Sequence, residues 1–574
     1  MTLKGDSRED RKPKRSKANN ELDILSSHLL SSEEELREAY ESATPYPHGR
    51  IENMFQGDFL DNVLNEIKEN SKVKFKESDL FRVYQSIDLG NINEEDSLIF
   101  PHLTELKDVL YSSQYRAFVE RIACLPPRTL TDDVDCAANC HAPGCHLLCH
   151  DDVIGTRKVS YVIYLTERGW KEEEGGALEI YNHDERATQR VPQAVPCKSI
   201  LPIFNSMAYF VVRAGISFHS VQEVFGDRPR LSIQGWYHAH DTPTDIKDAT
   251  LSRLKSTAKG EDTEGSFYSF GNENNGVSPD FDLSKVDREF LLKYINESYL
   301  SKDSIDEIRE RFEEDSSVQL RKFLNKEWTK KLEKAIRVED SSIGNGKPAL
   351  DHQIGVSRNW KIVGPAHKQR FLEFSEVDVN DKISSSGSLL WHIQNKLFQS
   401  PPFGRFLKFI TSLGMPLGHR GRIRRFRPGL DYTVAHYGIL TREAVLDATL
   451  CFCAGNGEQC LVEKETGELV DDSNDADVIW ASGDCGGFEC YVEADDDDND
   501  GKAKAADEYN DEDDSELLSV SASNNTLSLV YRDPGTMRFV KYLGCQAPSS
   551  RWDIAMEYEV ECDDYNSSLD GESD

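Results

Sequence analysis

The pattern of hydrophobic and polar positions first indicates a strand-rich region behind a short helical segment. DFLDNVLNEIKEN has apolar residues at helical spacing, and five segments with strand-like composition follow it. These segments lack the regular alternation of strands and helices that a parallel sheet requires, so the pattern predicts an antiparallel barrel or jelly roll. The predicted strand segments are LFRVYQSIDL, KVSYVIYL, GALEIY, SMAYFVVR and RLSIQGWY.

A second strand-rich region begins near Arg422, after amphipathic helices in FLLKYINESYL, SIDEIRERFEE and VQLRKFLNKEW. It repeats the first region in altered form. W-x4-GGALEIY returns as W-x5-GGFECY, and NSMAYFVVRAGISFH returns as NNTLSLVYRDPGTMRFV. Arg230 follows His219 by eleven residues, as Arg551 follows Val540. Two copies of one barrel explain this pattern most simply.

Composition shifts divide the chain further. We expect a disordered basic and polar tail over residues 1–43, a first barrel domain over 44–245 and a polar linker over 246–285. The second barrel domain then spans 286–565 with an acidic, solvated insert at 493–516, and a short tail covers 566–574.

The chain is acidic, with 67 basic against 102 acidic residues and a net charge of -35. This balance disfavours direct nucleic-acid binding and favours a basic partner, although acidic runs can also serve only to keep a protein in solution. No apolar stretch approaches the roughly 20 residues that cross a membrane, and thirteen cysteines without a signal segment fit reduced thiols. A weak basic cluster near Lys14 allows nuclear import, so we expect an intracellular protein of the nucleus and cytoplasm.

A candidate metal site stands in front of the strand KVSYVIYL. His150 and Asp152 flank one residue, and His219 follows 67 residues later. Two imidazoles and one carboxylate on one face of a metal are the arrangement of non-haem Fe(II) oxygenases, whose open positions take 2-oxoglutarate and O2. Such a co-substrate needs a fixed cation for its distal carboxylate, and Arg230 on the strand RLSIQGWY is the candidate, with Tyr164 as a second contact.

Each of these residues has an ordinary alternative. Arg230 could form a surface ion pair, Tyr164 could belong to the core, and His219 could be a core histidine with satisfied hydrogen bonds. The ordered set of H-x-D, a distant histidine and an arginine eleven residues later is a much rarer coincidence. A structural zinc site in CAANCHAPGCHLLCHDD is the less favoured alternative, because its cysteine spacing is not that of paired zinc knuckles.

The segments LLCHDD, SYVIYL, GGALEIY, VVRAGISFHSVQEV, RLSIQGWYH and NNTLSLVYRD carry a family resemblance. Over most of its length the chain resembles the eukaryotic 2-oxoglutarate- and Fe(II)-dependent prolyl hydroxylases of the yeast Tpa type, which modify a small-subunit ribosomal protein. The resemblance implies a mainly β protein with flanking helices (α+β), built from tandem double-stranded β-helix (jelly-roll) domains of which the second is degenerate and only the first catalytic.

The resemblance also implies the site and the reaction. His150, Asp152 and His219 match the iron ligands, and Tyr164 and Arg230 match the 2-oxoglutarate contacts. The implied cofactors are Fe(II), 2-oxoglutarate and O2, with ascorbate assisting. The implied substrate is a proline of a small-subunit ribosomal protein near the decoding centre, hydroxylated at carbon 3, and translation-termination or mRNA-associated factors are further candidate partners.

Two rival hypotheses remain at this stage. One is an acidic scaffold protein that holds ribosomal or messenger-bound partners with a vestigial iron site. The other is an oxygenase with another target, such as lysine or alkylated nucleic acid, although the nucleic-acid version fits poorly with so acidic a chain.

Laying the two repeats over one another predicts that the second barrel binds no iron. His436 then corresponds to His150, while Gly438 and Val540 take the places of Asp152 and His219. Leu450 takes the place of Tyr164 in the same overlay, and Arg551, which matches Arg230, is expected to form a structural ion pair.

Overall fold

The structure is a computed structural model. It describes residues 22–184, 190–242, 266–270, 283–342, 351–375, 384–436, 444–453, 473–493 and 516–560. The helices of the first part of the chain are α1 (Ser27–Ser31), α2 (Glu33–Ser42), α3 (Phe59–Asn70), α4 (Asp96–Ile99), α5 (Pro101–Leu110) and α6 (Ser113–Ile122). Those of the second part are α7 (Lys285–Leu291), α8 (Lys302–Asp315), α9 (Lys326–Ser342), α10 (Ser386–Ile393), α11 (Pro401–Thr411) and α12 (Ser473–Ser482).

The first eleven strands form one curled antiparallel sheet. Its strand order is β1-β9-β6-β11-β4-β3-β5-β10-β7-β8, with β2 paired to β3. The strands are β1 (His48–Glu52), β2 (Val73–Glu77), β3 (Phe81–Asp88), β4 (Leu130–His141), β5 (His146–His150), β6 (Arg157–Tyr164), β7 (Leu178–Ile180), β8 (Lys198–Ile200), β9 (Ser206–Val211), β10 (His219–Val221) and β11 (Arg230–Ala239). This topology confirms the expected jelly roll.

The two faces of the central strands have different partners. On β11, Ile233 and Tyr237 belong to the large apolar core, where they pack with residues of α3, α5 and α6. Arg230 and Ser232 alternate with them and face the barrel interior, because successive side chains of a strand point to opposite faces. The helices therefore seal one face of the sheet, and the other face is left to polar residues.

The tail expected over 1–43 ends earlier than predicted. Residues 22–43 carry the two helices α1 and α2, and Leu25, Leu29 and Tyr40 are buried in the first core. The ring of Tyr40 stacks on Tyr209 of β9 with the ring centroids 5.5 Å apart. A few widely spaced apolar residues among many charges were not recognisable as core from the sequence. Residues 1–21 lie outside the described part of the chain.

The second half contains another curled sheet and a short three-stranded one. The main order is β13-β21-β18-β23-β16-β15-β14, with β12 and β17 attached, and the short sheet has the order β20-β19-β22. The strands are β12 (Tyr268–Ser269), β13 (Ser317–Arg321), β14 (Trp360–Val363), β15 (Gln369–Phe374), β16 (Gly418–Phe426), β17 (Tyr432–Thr433), β18 (Val445–Cys453), β19 (Glu489–Glu493), β20 (Glu516–Val520), β21 (Thr526–Arg532), β22 (Thr536–Val540) and β23 (Arg551–Glu559).

Part of the predicted linker belongs to this second body. Tyr268 pairs with His419 of β16, and Phe270 is buried in the second core. The remaining linker residues 246–265 and 271–282, and most of the acidic insert at 493–516, lie outside the described residues. None of the described helices has the length and apolar content needed to span a membrane.

The two barrels pack against each other beside the strands that carry the candidate metal ligands. Leu148 of β5 packs with Tyr432, Val434 and Tyr542 of the second barrel. The His146 ring lies 4.0 Å from the Tyr542 ring, measured between centroids. The second barrel therefore supports the strand that ends at the candidate ligand His150.

A buried carboxyl group adds polar contacts to this joint. Glu223, just beyond β10, accepts hydrogen bonds from the Tyr542 hydroxyl at 3.2 Å and from the Cys545 backbone N–H at 2.9 Å. Burial raises the pKa of Glu223 to about 7. Arg370 of β15 donates from Nη1 to the Tyr181 hydroxyl at 3.3 Å, so both polar and apolar contacts cross between the barrels.

Candidate active site

The structure brings the three candidate metal ligands together. His150 ends β5, His219 begins β10, and these two residues are direct partners across the paired strands. Nε2 of His150 lies 3.1 Å from Oδ1 of Asp152, and Nε2 of His219 lies 3.4 Å from Oδ2 of the same carboxylate. One ligand atom from each residue lies within 4.8 Å of the others, which is the arrangement needed for a single metal ion.

Backbone carbonyls set the orientation of both imidazoles. Nδ1 of His150 lies 2.8 Å from the Leu148 carbonyl, and Nδ1 of His219 lies 2.8 Å from the Ser217 carbonyl. An Nδ1–H that donates to a carbonyl leaves the Nε2 lone pair free, and this is the tautomer that binds a metal. The two histidines are therefore preorganised as Nε2 ligands.

Asp152 is held as an anion by its surroundings. Burial alone would raise its pKa, but the His219 and His150 imidazoles hold the pKa of Asp152 well below its usual value. The Trp236 indole N–H donates to Oδ2 at 3.0 Å, and the Arg157 guanidinium stacks 3.6 Å from the Trp236 ring centroid. Neither residue could be recognised from the sequence, because Trp236 acts through Asp152 and Arg157 acts through Trp236.

Asp151, between the H-x-D ligands, ties the two ligand-bearing segments together. Its Oδ2 accepts from the Gly215 N–H at 3.0 Å, and its carbonyl accepts from the Ser217 hydroxyl at 2.9 Å. The adjacent Asp152 has a φ of 62°, a left-handed conformation that aspartate tolerates better than most residues. These bonds fix the loop before His219 against the end of β5.

The predicted co-substrate contacts lie deeper in the same barrel. Arg230 is fully buried, and Tyr164, at 0% exposure, lies with its ring centroid 5.2 Å from the guanidinium carbon. Nη1 of Arg230 makes two long contacts of 3.4 Å, to His141 and Ser232. Among the described residues, Nε and Nη2 of Arg230 and the Tyr164 hydroxyl have no hydrogen-bond partner.

This arrangement fits a carboxylate ligand. Burial lowers the pKa of the Arg230 guanidinium, and no described acid forms an ion pair with it. A buried charge without a partner is costly, so the site is complete only with an anion beside Arg230. Asn139 pairs with Ser232 across β4 and β11, and both its amide atoms also lack partners within the described chain. Asn139 could not be recognised as part of the site from the sequence.

The cysteine- and histidine-rich segment forms no zinc site in the part of the chain that the structure describes. The His150, Asp152 and His219 group is the one cluster of potential metal ligands found there. Cys136, Cys140, Cys145 and Cys149 are instead separate free thiols on β4, β5 and the turn between them.

The second barrel retains the frame of the first without its site. Asn205 and Asn525 both have left-handed conformations at the start of equivalent strands, and Ser206 and Thr526 follow them. Ser206 pairs with Tyr164, but Thr526 pairs with Cys451. The expectation that Leu450 replaces Tyr164 is therefore wrong by one residue, and Cys451 takes that place.

Strand pairing also corrects the match for His219. The Gly-Gly turns that precede β7 and β19 align these two strands, so Ile180 corresponds to Tyr491. Ile180 pairs with His219 in the first barrel, and Tyr491 pairs with Arg538 in the second. Arg538 thus replaces His219, and Val540 corresponds to Val221 instead. The equal spacing of eleven residues was misleading, because the interval from Arg538 to Arg551 is two residues longer than that from His219 to Arg230.

The other predicted equivalences concern His436, Gly438 and Arg551. The pairing of β15 with β17 places His436 at the position of His150, as predicted, whereas Gly438 lies outside the described residues. Arg551 forms ion pairs with Asp553 at 3.1 Å and Glu489 at 3.3 Å, so the expected structural role is confirmed.

Fold and site together define a 2-oxoglutarate- and Fe(II)-dependent oxygenase. The 2OG-Fe(II) oxygenase superfamily model matches residues 136–238, and a model described as oxoglutarate and iron-dependent oxygenase degradation C-term matches 286–566. The chain is 37% identical over 528 residues to the prolyl 3,4-dihydroxylase OGFOD1 of Ostreococcus tauri, covering 90% of this chain and 95% of that protein. It therefore belongs to the OGFOD1 family of prolyl hydroxylases.

A more distant relative has a name of the same family. The prolyl 3-hydroxylase OGFOD1 of Xenopus laevis is 27% identical over 540 residues, covering 90% of this chain and 88% of that protein. The crystal structure of a Pseudomonas putida prolyl-4-hydroxylase covers 36% of this chain and 99% of its own, at 18% identity and a TM-score of 0.26. The protein is a peptidyl-prolyl hydroxylase that uses Fe(II), 2-oxoglutarate and O2.

Proposed function

We propose that this enzyme hydroxylates carbon 3 of a proline in a small-subunit ribosomal protein, near the decoding centre, and thereby acts on translation. The names of the Xenopus laevis and Mus musculus relatives include 3-hydroxylation. A net charge of -35 suits the basic surface of a ribosomal protein. The proposal includes ascorbate as an assisting reductant, a location in nucleus and cytoplasm, and contacts with translation-termination or mRNA-associated factors.

In this proposal His150, Asp152 and His219 hold Fe(II), and Arg230 and Tyr164 bind the distal carboxylate of 2-oxoglutarate. The observation that carries it is the buried guanidinium of Arg230, whose Nε and Nη2 have no partner among the described residues. When bound, the metal and co-substrate supply the oxidising chemistry for proline hydroxylation. The protein itself contributes position and the exclusion of water.

Each protein group has a defined task in this scheme. The Leu148 and Ser217 carbonyls hold the two imidazoles with Nε2 directed at the metal, and the Trp236 N–H fixes the Asp152 carboxylate. The planar fork of Arg230 can bind a carboxylate through two parallel hydrogen bonds. The Tyr164 hydroxyl adds one donor to the same group.

The scaffold hypothesis, with a vestigial iron site, is disfavoured by the state of the first site. A lost site is visible in the second barrel, where Arg538 stands at a ligand position and Arg551 is neutralised by protein acids. The first barrel retains all three ligands and an arginine without an acid partner. An intact ligand set and a buried arginine without an acid partner are typical of an enzyme that still turns over.

The test is incubation of the full chain with Fe(II), 2-oxoglutarate and proline-containing peptides from small-subunit ribosomal proteins, followed by mass spectrometry. We expect one added oxygen on a single peptide, and hydrolysis with comparison to standards should give 3-hydroxyproline. A peptide with that proline replaced by alanine and the Asp152→Ala enzyme are the controls. Tight binding of the peptides with neither added oxygen nor succinate would favour the scaffold hypothesis.

The same experiment decides between one and two oxidations. The Ostreococcus tauri relative is named a 3,4-dihydroxylase. A second added oxygen on the same proline would therefore place this enzyme with that relative and contradict simple 3-hydroxylation. Hydroxylation of only non-ribosomal peptides would reject the substrate proposal while leaving the prolyl hydroxylase activity intact.

A further inference from the structure

Asn139 of β4 is a second buried polar side chain that the first barrel leaves unsatisfied. It is 2% exposed, and neither its Nδ2 nor its Oδ1 has a hydrogen-bond partner among the described residues. A side-chain amide has two donor hydrogens and one acceptor oxygen, so burying it without partners is costly. Such a group in a folded protein calls for a bound partner.

Strand pairing places Asn139 in one row with the predicted co-substrate contacts. Ser232 of β11 pairs with Asn139 on one side and with Tyr164 of β6 on the other. Directly paired residues of antiparallel strands project to the same face of a sheet. The three side chains therefore enter the barrel interior at the same level. Arg230 lies two residues from Ser232 along β11, on the same face.

Hydrogen-bond donors without partners are concentrated at this level of the barrel. Five of the buried polar atoms that lack partners in the described part of the chain belong to Asn139, Tyr164 and Arg230. Nδ2 of Asn139, the Tyr164 hydroxyl, and Nε and Nη2 of Arg230 can all donate, and Oδ1 of Asn139 can only accept. A group of donors around one space is suited to an anion with several acceptor positions.

The second barrel shows how the equivalent row holds a carboxylate. This row consists of Arg424, Asp553 and Cys451, because Asp553 pairs with both of the others. Arg424 thus stands where Asn139 stands in the first barrel. It donates to the Asp553 carboxylate from Nε at 2.8 Å and from Nη2 at 3.0 Å, and Arg551 donates to the same carboxylate at 3.1 Å. A donor at the position of Asn139 therefore binds a carboxylate inside the barrel.

The first barrel has a serine where the second has this acid. Oγ of Ser232 lies 3.4 Å from Nη1 of Arg230, so the donors of the row are left for a carboxylate that belongs to a ligand. An ionised carboxylate has about four acceptor positions. The fork of Arg230 fills two of them and the Tyr164 hydroxyl fills a third. The fourth matches Nδ2 of Asn139.

We propose that Asn139 is a direct co-substrate contact, whose Nδ2 donates to the distal carboxylate of 2-oxoglutarate from the side opposite Tyr164. The inference rests on the proposed function of the first barrel, in which Arg230 and Tyr164 bind this carboxylate. The Ser232 hydroxyl donates to Oδ1 and so sets the orientation of the amide. Asn139 thereby helps to select a keto acid that carries a second carboxylate.

The first test is anaerobic calorimetry of the full chain with Fe(II) and 2-oxoglutarate. Asn139→Ala should weaken 2-oxoglutarate binding about tenfold, the loss for one hydrogen bond to a charged group. Binding of 2-oxopentanoate, which has a methyl group in place of the distal carboxylate, should be equal in the variant and the unaltered chain. Absorption of the Fe(II) keto acid chelate follows this weaker ligand at high concentration.

A second variant tests the contact by changing the ligand that is preferred. Asn139→Asp keeps the size of the side chain and places a carboxylate beside Arg230. It should weaken 2-oxoglutarate binding at least about 100-fold, because two like charges would then meet in a buried site. The variant should prefer 2-oxoglutaramate, whose distal group is a neutral amide, whereas the unaltered chain should prefer 2-oxoglutarate.

Thermal melting separates this role from a structural one. Asn139→Ala removes two unsatisfied buried atoms, so the Tm of the ligand-free chain should not fall, and 2-oxoglutarate should raise the Tm less than in the unaltered chain. Cys140→Ala is the matched control, because Cys140 is the next residue of β4 and projects to the opposite face. It should leave 2-oxoglutarate affinity unchanged.

Several results would overturn the assignment of Asn139. These are an unchanged 2-oxoglutarate affinity in Asn139→Ala, an equal loss for 2-oxopentanoate or in Cys140→Ala, a lower Tm of the ligand-free variant, or no change of preference in Asn139→Asp. If Arg230→Lys alone weakens 2-oxoglutarate binding, the inference fails and the proposed co-substrate site stands. If the unaltered chain binds no 2-oxoglutarate, both fail.

Discussion

The equivalent buried arginines of the two barrels, Arg230 and Arg551, have opposite electrostatic surroundings. Arg551 is neutralised within the protein by Asp553 and Glu489, whereas Arg230 lies beside Ser232 and Tyr164 and has no acid partner among the described residues. Strand pairing places Asp553 where Ser232 stands, so one residue accounts for much of the difference. The comparison teaches that a co-substrate site can be recognised by a buried arginine that lacks an acidic partner within the protein.

The metal ends of the barrels differ in the same sense. The first barrel offers two imidazoles and one carboxylate, and the second offers one imidazole and Arg538 in place of the other. A guanidinium cannot donate a lone pair to a cation and repels it by charge. The charge of Arg538 therefore disfavours a metal ion at this position of the second barrel, in addition to the loss of a ligand.

The largest effect should come from the anionic ligand. Asp152→Ala should lower succinate formation by more than about 100-fold, because even the outer partners of metal ligands contribute about 10- to 100-fold. Circular dichroism and thermal melting should show that the fold is kept. More than a few per cent of residual turnover would mean that Asp152 is not a ligand.

Ser232→Asp copies the acid of the second barrel into the first. The new carboxylate should pair with Arg230 and weaken 2-oxoglutarate binding about 100-fold, the scale on which a buried ion pair is broken. Calorimetry under anaerobic conditions measures this affinity, and iron affinity should change little. Ser232→Asn is the control, because asparagine has nearly the same size as aspartate and carries no charge. Equal effects of the two substitutions would point to bulk and not to charge.

Arg230→Lys should have a smaller effect. The lysine keeps the charge and loses the planar fork, so the KM for 2-oxoglutarate should rise about tenfold while iron binding stays nearly constant. Steady-state kinetics with varied 2-oxoglutarate give this value. An unchanged KM would show that another group holds the distal carboxylate.

The smallest effect is expected from the second barrel. His436→Ala should leave 2-oxoglutarate decarboxylation unchanged, and anaerobic titration should give one iron per chain in both proteins. The reason is that Arg538, which lines the same small cavity as His436, disfavours a cation there. Two irons per chain, with the second lost in the variant, would contradict the comparison of the barrels.

Sequence patterns predicted what is local and failed where distant segments meet. The strands, the H-x-D ligands and His219 follow from short motifs, and so does the alternation that turns Arg230 inward. Arg538 was missed because spacing along the chain does not reveal a two-residue insertion between equivalent strands. Only the pairing of β19 with β22 shows it.

The missing partners of Arg230 could not have been read from the sequence either. Many arginines in this chain are followed by acids within a few residues, and pairing depends on which face each side chain occupies. Trp236 and Asn139 were missed for a similar reason, since the role of each depends on a residue of another strand or loop. Composition predicted the acidic character of the chain and none of these contacts.

The contacts between the barrels also have a consequence for how the molecule unfolds. Leu148 packs on Tyr432 and Tyr542, and Cys149 and Phe218 pack with Ala366 of the second barrel. Cys149 and Phe218 directly precede His150 and His219. Separation of the two barrels would therefore expose the strands that carry both histidine ligands. The two barrels should melt in one cooperative transition, and damage to either core should reduce iron occupancy. We therefore expect the second barrel to belong to the cooperative unit that keeps the first one ordered.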